Sequence, residues 1–326
     1  MRYEEQGKLI RGVGGLYEVL LDVGETPLSG QYAASRAKGQ FRHEGLSPLV
    51  GDRVRVSFDD AILRREGESL LAPADGGGVV IEEILPRKNA LIRPPMANLD
   101  YLFITLAAAH PAPVPETVDK LISIAEHNGI EPVPVIGKCD IDPEAAQALA
   151  TLYRGAGFSV FCLSATRGEG DIEALRAFIT DNLRGKTAAF AGASGVGKST
   201  LMNRLFPSLS LATGEISRRI ERGRHTTRRV ELYPLPEVGG FVADTPGFSM
   251  LDFVRFDFFS RDELFSTMRE FAPYLGECRY KKCTHTREQD CAVLEAVRRG
   301  EIAPSRHSSY VAMYDALKNK HDWSKK

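Results

Sequence analysis

The sequence has no long hydrophobic run. Its longest apolar stretch, Tyr101 to Ala109, falls far short of the ~20 residues that cross a bilayer, and its start, Met1-Arg2-Tyr3-Glu4-Glu5, has no apolar signal-peptide region. Neither a membrane nor a secreted protein is expected. An even set of cysteines is also lacking: five in 326 residues argue against a disulfide framework. Net charge is nearly absent, with 42 Lys and Arg against 43 Asp and Glu, so the overall balance excludes no class of partner. No internal repeat or low-complexity tract is present. What remains is an ordinary globular composition, 43% hydrophobic, with length for about two domains and room for a third small one.

Charge and cysteine are instead local. Ser217 to Arg229 holds six arginines and one glutamate, and the tail from Arg298 to Lys326 leans basic. Arg279, Lys281, Lys282 and Arg287 sit among Cys278, Cys283 and Cys291, three cysteines within fourteen residues. Basic stripes let a neutral chain meet an anionic polymer, although each stripe taken alone is equally well a solvated face. Crowded cysteines point to a metal before a disulfide.

Residues 1 to about 86 read as short strands, Lys8 to Val13, Leu16 to Leu21, Val50 to Phe58 and Gly78 to Ile84, with no helix of useful length before residue 115. Val54, Val56 and Phe58 alternate onto one face, and Ala72 to Gly78 reads as a hairpin loop. The pattern predicts a small β-barrel or sandwich. From about 99, strands at Leu99 to Leu106, Pro132 to Ile136, Phe158 to Leu163 and Thr187 to Ala191 alternate with helices at Thr117 to Asn128, Pro143 to Tyr153 and Asp171 to Leu183, Asp171 standing as an N-cap. Strands at Val230 to Leu235 and Gly240 to Ala243 follow. This is α/β alternation around a mostly parallel sheet. After about 255 helical segments flank the cysteines.

Gly192-Ala193-Ser194-Gly195-Val196-Gly197-Lys198-Ser199 follows one of these strands and precedes a helix-like run from Thr200 to Phe206. This is the strand–GxxxxGK[ST]–helix context of a P-loop. Backbone N–H groups converge there on phosphates, with Lys198 on the β- and γ-phosphates and the Ser199 hydroxyl on Mg²⁺. The pattern indicates a nucleoside triphosphate without choosing the base. Downstream, Asp244-Thr-Pro-Gly247 closes a strand, which suits Asp244 near Mg²⁺ and the Gly247 N–H near the γ-phosphate. No transporter signature motif or acidic pair accompanies it. Upstream, Gly137-Lys138-Cys139-Asp140 resembles the Asn-Lys-x-Asp guanine motif. Asp140 can accept from the N1–H and 2-amino group of guanine, a donor pair that adenine lacks, while Lys138 lays its stem over the base. Ser164-Ala165-Thr166 resembles the second guanine-side loop.

The order guanine motif, Ser-Ala loop, P-loop and switches is a circular permutation of the ordinary GTPase order. With a β-barrel in front and a Cys/His module behind, the chain resembles the ribosome small-subunit-dependent GTPase A (RsgA) family. The resemblance implies an OB-fold RNA-binding domain over 1–86, a permuted α/β P-loop GTPase core over 87–254, and an α-helical zinc-binding domain over 255–326. It also implies a role in late maturation of the small ribosomal subunit. One departure is Gly137, where the guanine motif has Asn; weaker GDP and GTP binding is expected, with guanine preference retained through Asp140.

Gly223-Arg-His-Thr-Thr227 resembles the family's switch I. Thr227 is the first choice to complete the Mg²⁺ shell and Thr226 the second. Phe248 stands where many GTPases carry a water-orienting glutamine, so slow intrinsic turnover is expected, with His225 the in-chain group to position the water. Cys278-x₄-Cys283-x-His285-x₅-Cys291 offers three thiolates and an imidazole, a filled tetrahedral shell for one structural Zn²⁺; Cys139 and Cys162 read as core or loop thiols. Arg36, Lys38 and Arg42 with Tyr32 and Phe41 on the barrel, and the basic residues of the cysteine loop, make a candidate rRNA face. The expected protein is a cytoplasmic, monomeric GTPase that takes GTP or GDP with Mg²⁺. It is expected to act on the small (30S) subunit and its 16S rRNA, with no membrane or DNA partner, and to hydrolyse GTP when docked, as a release checkpoint. The alternative is an RNA-binding assembly chaperone whose GTPase core is a nearly inactive nucleotide sensor. A guanylate kinase is disfavoured, because the guanine-side motifs and switch I have no role in one.

Overall fold

The computed structural model of the chain describes residues 2–43, 45–59, 78–209, 230–244 and 260–318. The described residues gather into two compact units. The first draws on Met1–Leu99, Leu183–Ala189 and Thr227–Pro246. Its barrel consists of β1 (Arg2–Val13), β2 (Leu16–Leu21), β3 (Tyr32–Ala37), β4 (Arg53–Asp59) and β5 (Val79–Ile84). β1 pairs antiparallel with β2, β2 with β3, β3 runs parallel to β5, β5 pairs with β4, and β4 closes back on β1. The cyclic order β1-β2-β3-β5-β4 is that of an OB-fold, and closure leaves no unpaired edge. Leu9, Val19, Leu21, Val54, Val56, Phe58, Val79 and Ile81 fill the interior.

Four of the five strands follow the sequence pattern. β3 does not: Tyr-Ala-Ala-Ser-Arg-Ala has no β-branched residue, and its strand state comes from pairing on both sides. β1 also starts six residues earlier than its apolar run, because Arg2 to Lys8 pair residue by residue with β4. The short helix α1 (Gln40–His43) follows β3, and the small pair β6 (Ala90–Leu91) and β7 (Met96–Ala97) completes this stretch. The proposed Ala72 to Gly78 loop lies outside the described residues except for Gly78.

The second unit draws on Asp100–Asn182, Phe190–Thr226 and Gly247–Lys326. Its parallel strands are β8 (Tyr101–Ala107), β9 (Glu131–Gly137) and β10 (Phe161–Ser164), with β11 (Glu169–Gly170) antiparallel to β10. Helices α2 (Pro115–His127), α3 (Pro143–Gly155) and α4 (Ile172–Asn182) follow β8, β9 and β11. α2 and α3 begin with Pro in the first turn, and the Asp142 carboxylate caps α3 by accepting from Ala145 N–H at 2.9 Å. Asp171 precedes α4 as expected, and its carboxylate also accepts from Cys162 N–H in β10 at 2.8 Å.

Beyond 260 come 3₁₀ turns at Arg261–Thr267 and Arg269–Tyr274, then the cysteine loop, α5's two C-terminal counterparts being α6 (Ala292–Arg298) and α7 (Pro304–Lys318); α5 itself is Lys198–Leu205. The expected helices before the cysteines are therefore tighter 3₁₀ turns. The basic tail is not uniformly a solvated stripe either. Arg306 of α7 is fully buried, 2.6 Å from Asp119 of α2 and 2.7 Å from Glu270.

Candidate nucleotide site and metal centre

Parallel strands bring their C-terminal ends to one edge, where α/β proteins bind ligands. β12 (Thr187–Ala191), buried at every residue, delivers the P-loop. Gly192 (φ 150°) is pressed so close to β8 that a Cβ would lie 2.2 Å from the Thr105 carbonyl oxygen, so no other residue fits. Gly197 (φ 101°) is the left-handed N-cap of α5. That helix starts at Lys198, two residues earlier than expected from Thr200. The N–H groups of Lys198, Ser199 and Thr200 therefore belong to the first turn of an eight-residue helix, the donor set an anion uses. Ala193, Ser194 and Gly195 are exposed, while Val196 is buried and anchors the loop.

The guanine-side residues meet this loop. Lys138 (φ 57°) follows β9, and its Nζ donates to the Gly195 carbonyl at 2.8 Å and to the His110 carbonyl. One side chain thus ties the guanine motif to the P-loop. The Asp140 carboxylate lies 3.2 Å from Arg167 Nε. Ser164 is buried, its Oγ accepts from Arg167 N–H at 3.3 Å, and Gly168 N–H reaches the Ser164 carbonyl at 2.8 Å, making a tight turn that includes the half-buried Ala165. Cys139 N–H donates to the Leu163 carbonyl at 3.3 Å, joining both guanine-side segments. Thr105, His110 and Arg167 were missed by sequence reasoning: they belong to no motif and act through spatial position alone.

Gly137 has room for a side chain. A Cβ there would stand 3.5 Å from the Val196 carbonyl oxygen and 3.6 Å from that of Leu106, ordinary contact distances. An asparagine amide could donate to the P-loop carbonyl and tether the two segments. Gly137→Asn is expected to tighten GDP binding roughly fivefold, the worth of about one hydrogen bond, in a fluorescent-nucleotide titration. Unchanged or weaker binding would count against the tether.

Asp244 is the last residue of β14 (Gly240–Asp244), which forms a hairpin with β13 (Glu231–Leu235) in the first unit and pairs Asp244 with Glu231. β13 in turn pairs with β1 through Arg11 and Glu231. His225, Thr226, Thr227, Gly247 and Phe248, together with the arginine run from Ser217 to Arg229, lie outside the described residues.

Cys278, Cys283, His285 and Cys291 converge, with their ligand atoms all within 4.8 Å of one another. Cys278 Sγ lies 3.8 Å from Cys291 Sγ, and each of these sulfurs lies 3.5 Å from His285 Nδ1. A zinc tetrahedron with Zn–S about 2.3 Å and Zn–N about 2.05 Å has edges of about 3.8 and 3.6 Å. The donor set and its spacing therefore fit Zn²⁺. Burial pushes the Cys283 thiol up to about 12, so this cluster is unfavourable as bare thiolates and becomes favourable around a dication. Phe265 and Phe271 pack against the His285 ring, His307 Nε2 lies 2.8 Å from the His285 carbonyl, and Tyr310 donates to the Thr284 carbonyl at 2.6 Å.

Glu288 holds the loop between the ligands. Burial would raise its carboxyl, but the Thr284 hydroxyl and the N–H groups of Thr284 (2.7 Å), Thr286 (3.0 Å) and Arg287 (3.1 Å) outweigh that and hold it at about 2. A lowered folded value means support that is present above the ordinary 4.5 and lost as pH falls toward 2. Because the group is largely solvated, its worth at neutral pH is about 1 kcal/mol. Glu288→Gln is expected to weaken zinc binding about fivefold in competition with a chromophoric chelator at pH 7; an unaltered affinity would remove Glu288 from this role.

The barrel's candidate rRNA face needs correction. Phe41 is only 7% exposed and belongs to the core, so it offers no ring to a base, and Lys38 is paired with Glu82. Arg36 is exposed and Tyr32 half-buried; the Arg42 side chain lies outside the described residues. On the cysteine loop, Lys281, Lys282 and Arg287 are exposed and Arg279 pairs with Asp290 at 2.9 Å. Tyr280, half exposed between these cations, is the aromatic that sequence reasoning overlooked. No described helix is long and apolar enough to cross a membrane.

Residues 84–254 match the family model described as RsgA GTPase, and residues 6–62 the one described as RsgA N-terminal domain. A "Small ribosomal subunit biogenesis GTPase RsgA" from Caldanaerobacter subterraneus subsp. tengcongensis is 40% identical over 316 residues, 97% of this chain and 96% of that protein. One of the same description from Carboxydothermus hydrogenoformans is 40% identical over 312 residues, 96% of this chain and 97% of that protein. Among solved structures, YjeQ from Thermotoga maritima superposes with a TM-score of 0.76 at 31% identity, covering 98% of this chain and 100% of that one. YloQ, titled a circularly permuted GTPase, gives 0.73 at 30%, covering 98% and 96%.

Proposed function

The chain belongs to the RsgA GTPase family, an α/β circularly permuted P-loop GTPase core behind an N-terminal OB-fold barrel and ahead of a C-terminal Cys₃His cluster, and from that premise we propose that it hydrolyses GTP on the small ribosomal subunit. The observation that carries the reading is the Lys138 bond to Gly195, which joins a guanine motif to a P-loop in permuted chain order. Asp140 selects guanine, Lys138, Ser164 and Ala165 frame the base, and residues 192–200 cradle the phosphates. Lys198 neutralises developing charge. Ser199 presents a hard oxygen that suits Mg²⁺, with Asp244 and Thr227, or Thr226, assigned to the same ion and Gly247 to the γ-phosphate. Bound Mg²⁺ supplies further neutralisation of phosphate charge. With Phe248 unable to orient water, His225 takes that role.

The domain assignment is 1–86 for RNA binding, 87–254 for GTP hydrolysis and 255–326 for zinc binding. The partner is the small subunit through its 16S rRNA, met in the cytoplasm by a monomer, and hydrolysis accompanies release as an assembly checkpoint. GTP turnover with purified small subunits, and with large subunits as control, tests this. Selective stimulation by small subunits that disappears in His225→Ala, with GDP affinity kept, is the expected result. Gly137 favours one second reading, a nucleotide-sensing RNA chaperone; binding to small subunits without stimulation would establish it instead.

A further inference from the structure

Two of the five cysteines lie outside the metal cluster, and they lie together. Cys139 sits between Lys138 and Asp140 in the guanine motif; Cys162 is on β10, in register with Ile136 of the neighbouring strand β9. The Cys139 backbone N–H donates across to Leu163, next to Cys162, at 3.3 Å. Cys139 Sγ lies 3.1 Å from the Ile136 carbonyl, the residue opposite Cys162. Cys162 Sγ lies 3.9 Å from the Ala146 carbonyl, and both thiols are half-buried, so a small reagent can reach them.

We infer that Cys139 and Cys162 form an oxidisable dithiol site, taking a hydroperoxide as two-electron oxidant and closing to a disulfide that weakens guanine-nucleotide binding. The environments divide the roles. The neighbouring Cys139 thiol and the Arg154 guanidinium favour thiolate at Cys162, whereas the Cys162 thiol and burial oppose it at Cys139. Cys162 thiolate attacks the peroxide oxygen, giving a sulfenic acid and, with one proton, water or an alcohol. Cys139 sulfur then attacks the sulfenic sulfur, its thiol proton leaves with the departing hydroxide as water, and the S–S bond forms. Both sulfurs are oxidised by one electron each, and the peroxide takes the pair.

A disulfide has an S–S length of about 2.05 Å, so bonding draws the two sulfurs together. Cys162 is held in a paired strand, so the movement falls on the loop carrying Lys138 and Asp140. A binding constellation tolerates about 0.5 Å of misplacement.

The inference rests on the guanine-side reading above. Zinc-loaded full-length protein is treated with hydrogen peroxide, digested without reduction and mapped by mass spectrometry, while GDP affinity and zinc release are measured in parallel. A linked Cys139–Cys162 peptide, at least about tenfold weaker GDP binding, recovery with dithiothreitol and no zinc release are expected. Cys162→Ser should keep the untreated affinity and be insensitive to peroxide. No linked peptide, a link without loss of affinity, or equal loss in Cys162→Ser would overturn the inference. If reduced protein binds no guanine nucleotide, the site reading fails, and the peptide map alone still judges the dithiol.

Discussion

Chelating the metal from Cys278, Cys283, His285 and Cys291 is expected to unfold the cysteine loop and release α6 from its N-terminal anchor. The loop's other ties are the hydrogen bonds of Glu288, His307 and Tyr310 and the rings of Phe265 and Phe271. Between Leu275 and Cys291 no helix or strand forms among the described residues, and His285 and Asp290 stand in the left-handed region, both at φ 57°. Cys291 is both a candidate ligand and the N-cap of α6, and no side chain bonds the helix start there. Apparent zinc binding energies of about 10–16 kcal/mol in such small modules exceed anything the neighbouring contacts offer. Ligand protons must leave for the metal to bind, so affinity should fall as pH falls. Limited proteolysis with and without chelator should show new cleavage within 275–291, and Cys278→Ser should reproduce it. Protection that is indifferent to chelator would mean that the four side chains merely pack together.

How much of this was visible in the residues depends on the range of the physics involved. The P-loop is legible because its demands are local: Gly192 is forced by a close approach and Gly197 by a left-handed cap, and each leaves its mark at its own position. The Cys₃His cluster is legible for the same reason, since one short loop supplies every ligand. β3 is not legible, because its pairing with β2 and β5 comes from the closed barrel and not from Tyr-Ala-Ala-Ser-Arg-Ala. Phe41 of the candidate rRNA face and the basic tail that holds Arg306 depart from the sequence pattern for a related reason. A basic stretch looks solvated until a distant carboxylate folds against it, and Asp119 stands 187 residues before Arg306. Likewise the approach of Cys139 to the strand of Cys162 depends on the pairing of β9 with β10, which no local pattern records.

Arg306→Ala is expected to destabilise the second unit by about 3–5 kcal/mol, the cost of leaving buried charge without its partner. The guanidinium is fully buried, donating to Asp119 Oδ1 at 2.6 Å and to both Glu270 oxygens at 2.7 and 3.1 Å. One cation thus serves two carboxylates, and its Cζ lies 5.6 Å from the Phe158 ring centroid. Burial pushes the Asp119 carboxyl up, and the Arg306 guanidinium, with the Ser309 hydroxyl, opposes that rise; without Arg306 the carboxyl rises further. A raised folded value gives support that is complete below the ordinary 3.8 and is lost as pH climbs through the folded value. The penalty of Arg306→Ala should therefore be largest at neutral pH and shrink on mild acidification, because a protonated Asp119 needs no cation. Arg306→Lys keeps the charge but loses the fork that reaches both acids, and should fall between the two. Urea denaturation at pH 7.5 and 5.5 measures all three chains, and a loss within about 1 kcal/mol at neutral pH would refute the argument. The consequence reaches function because α2, which carries Asp119, connects β8 to β9, the strand that ends in the guanine motif. Slackening α7 against α2 should loosen guanine-nucleotide binding without touching any residue of the site.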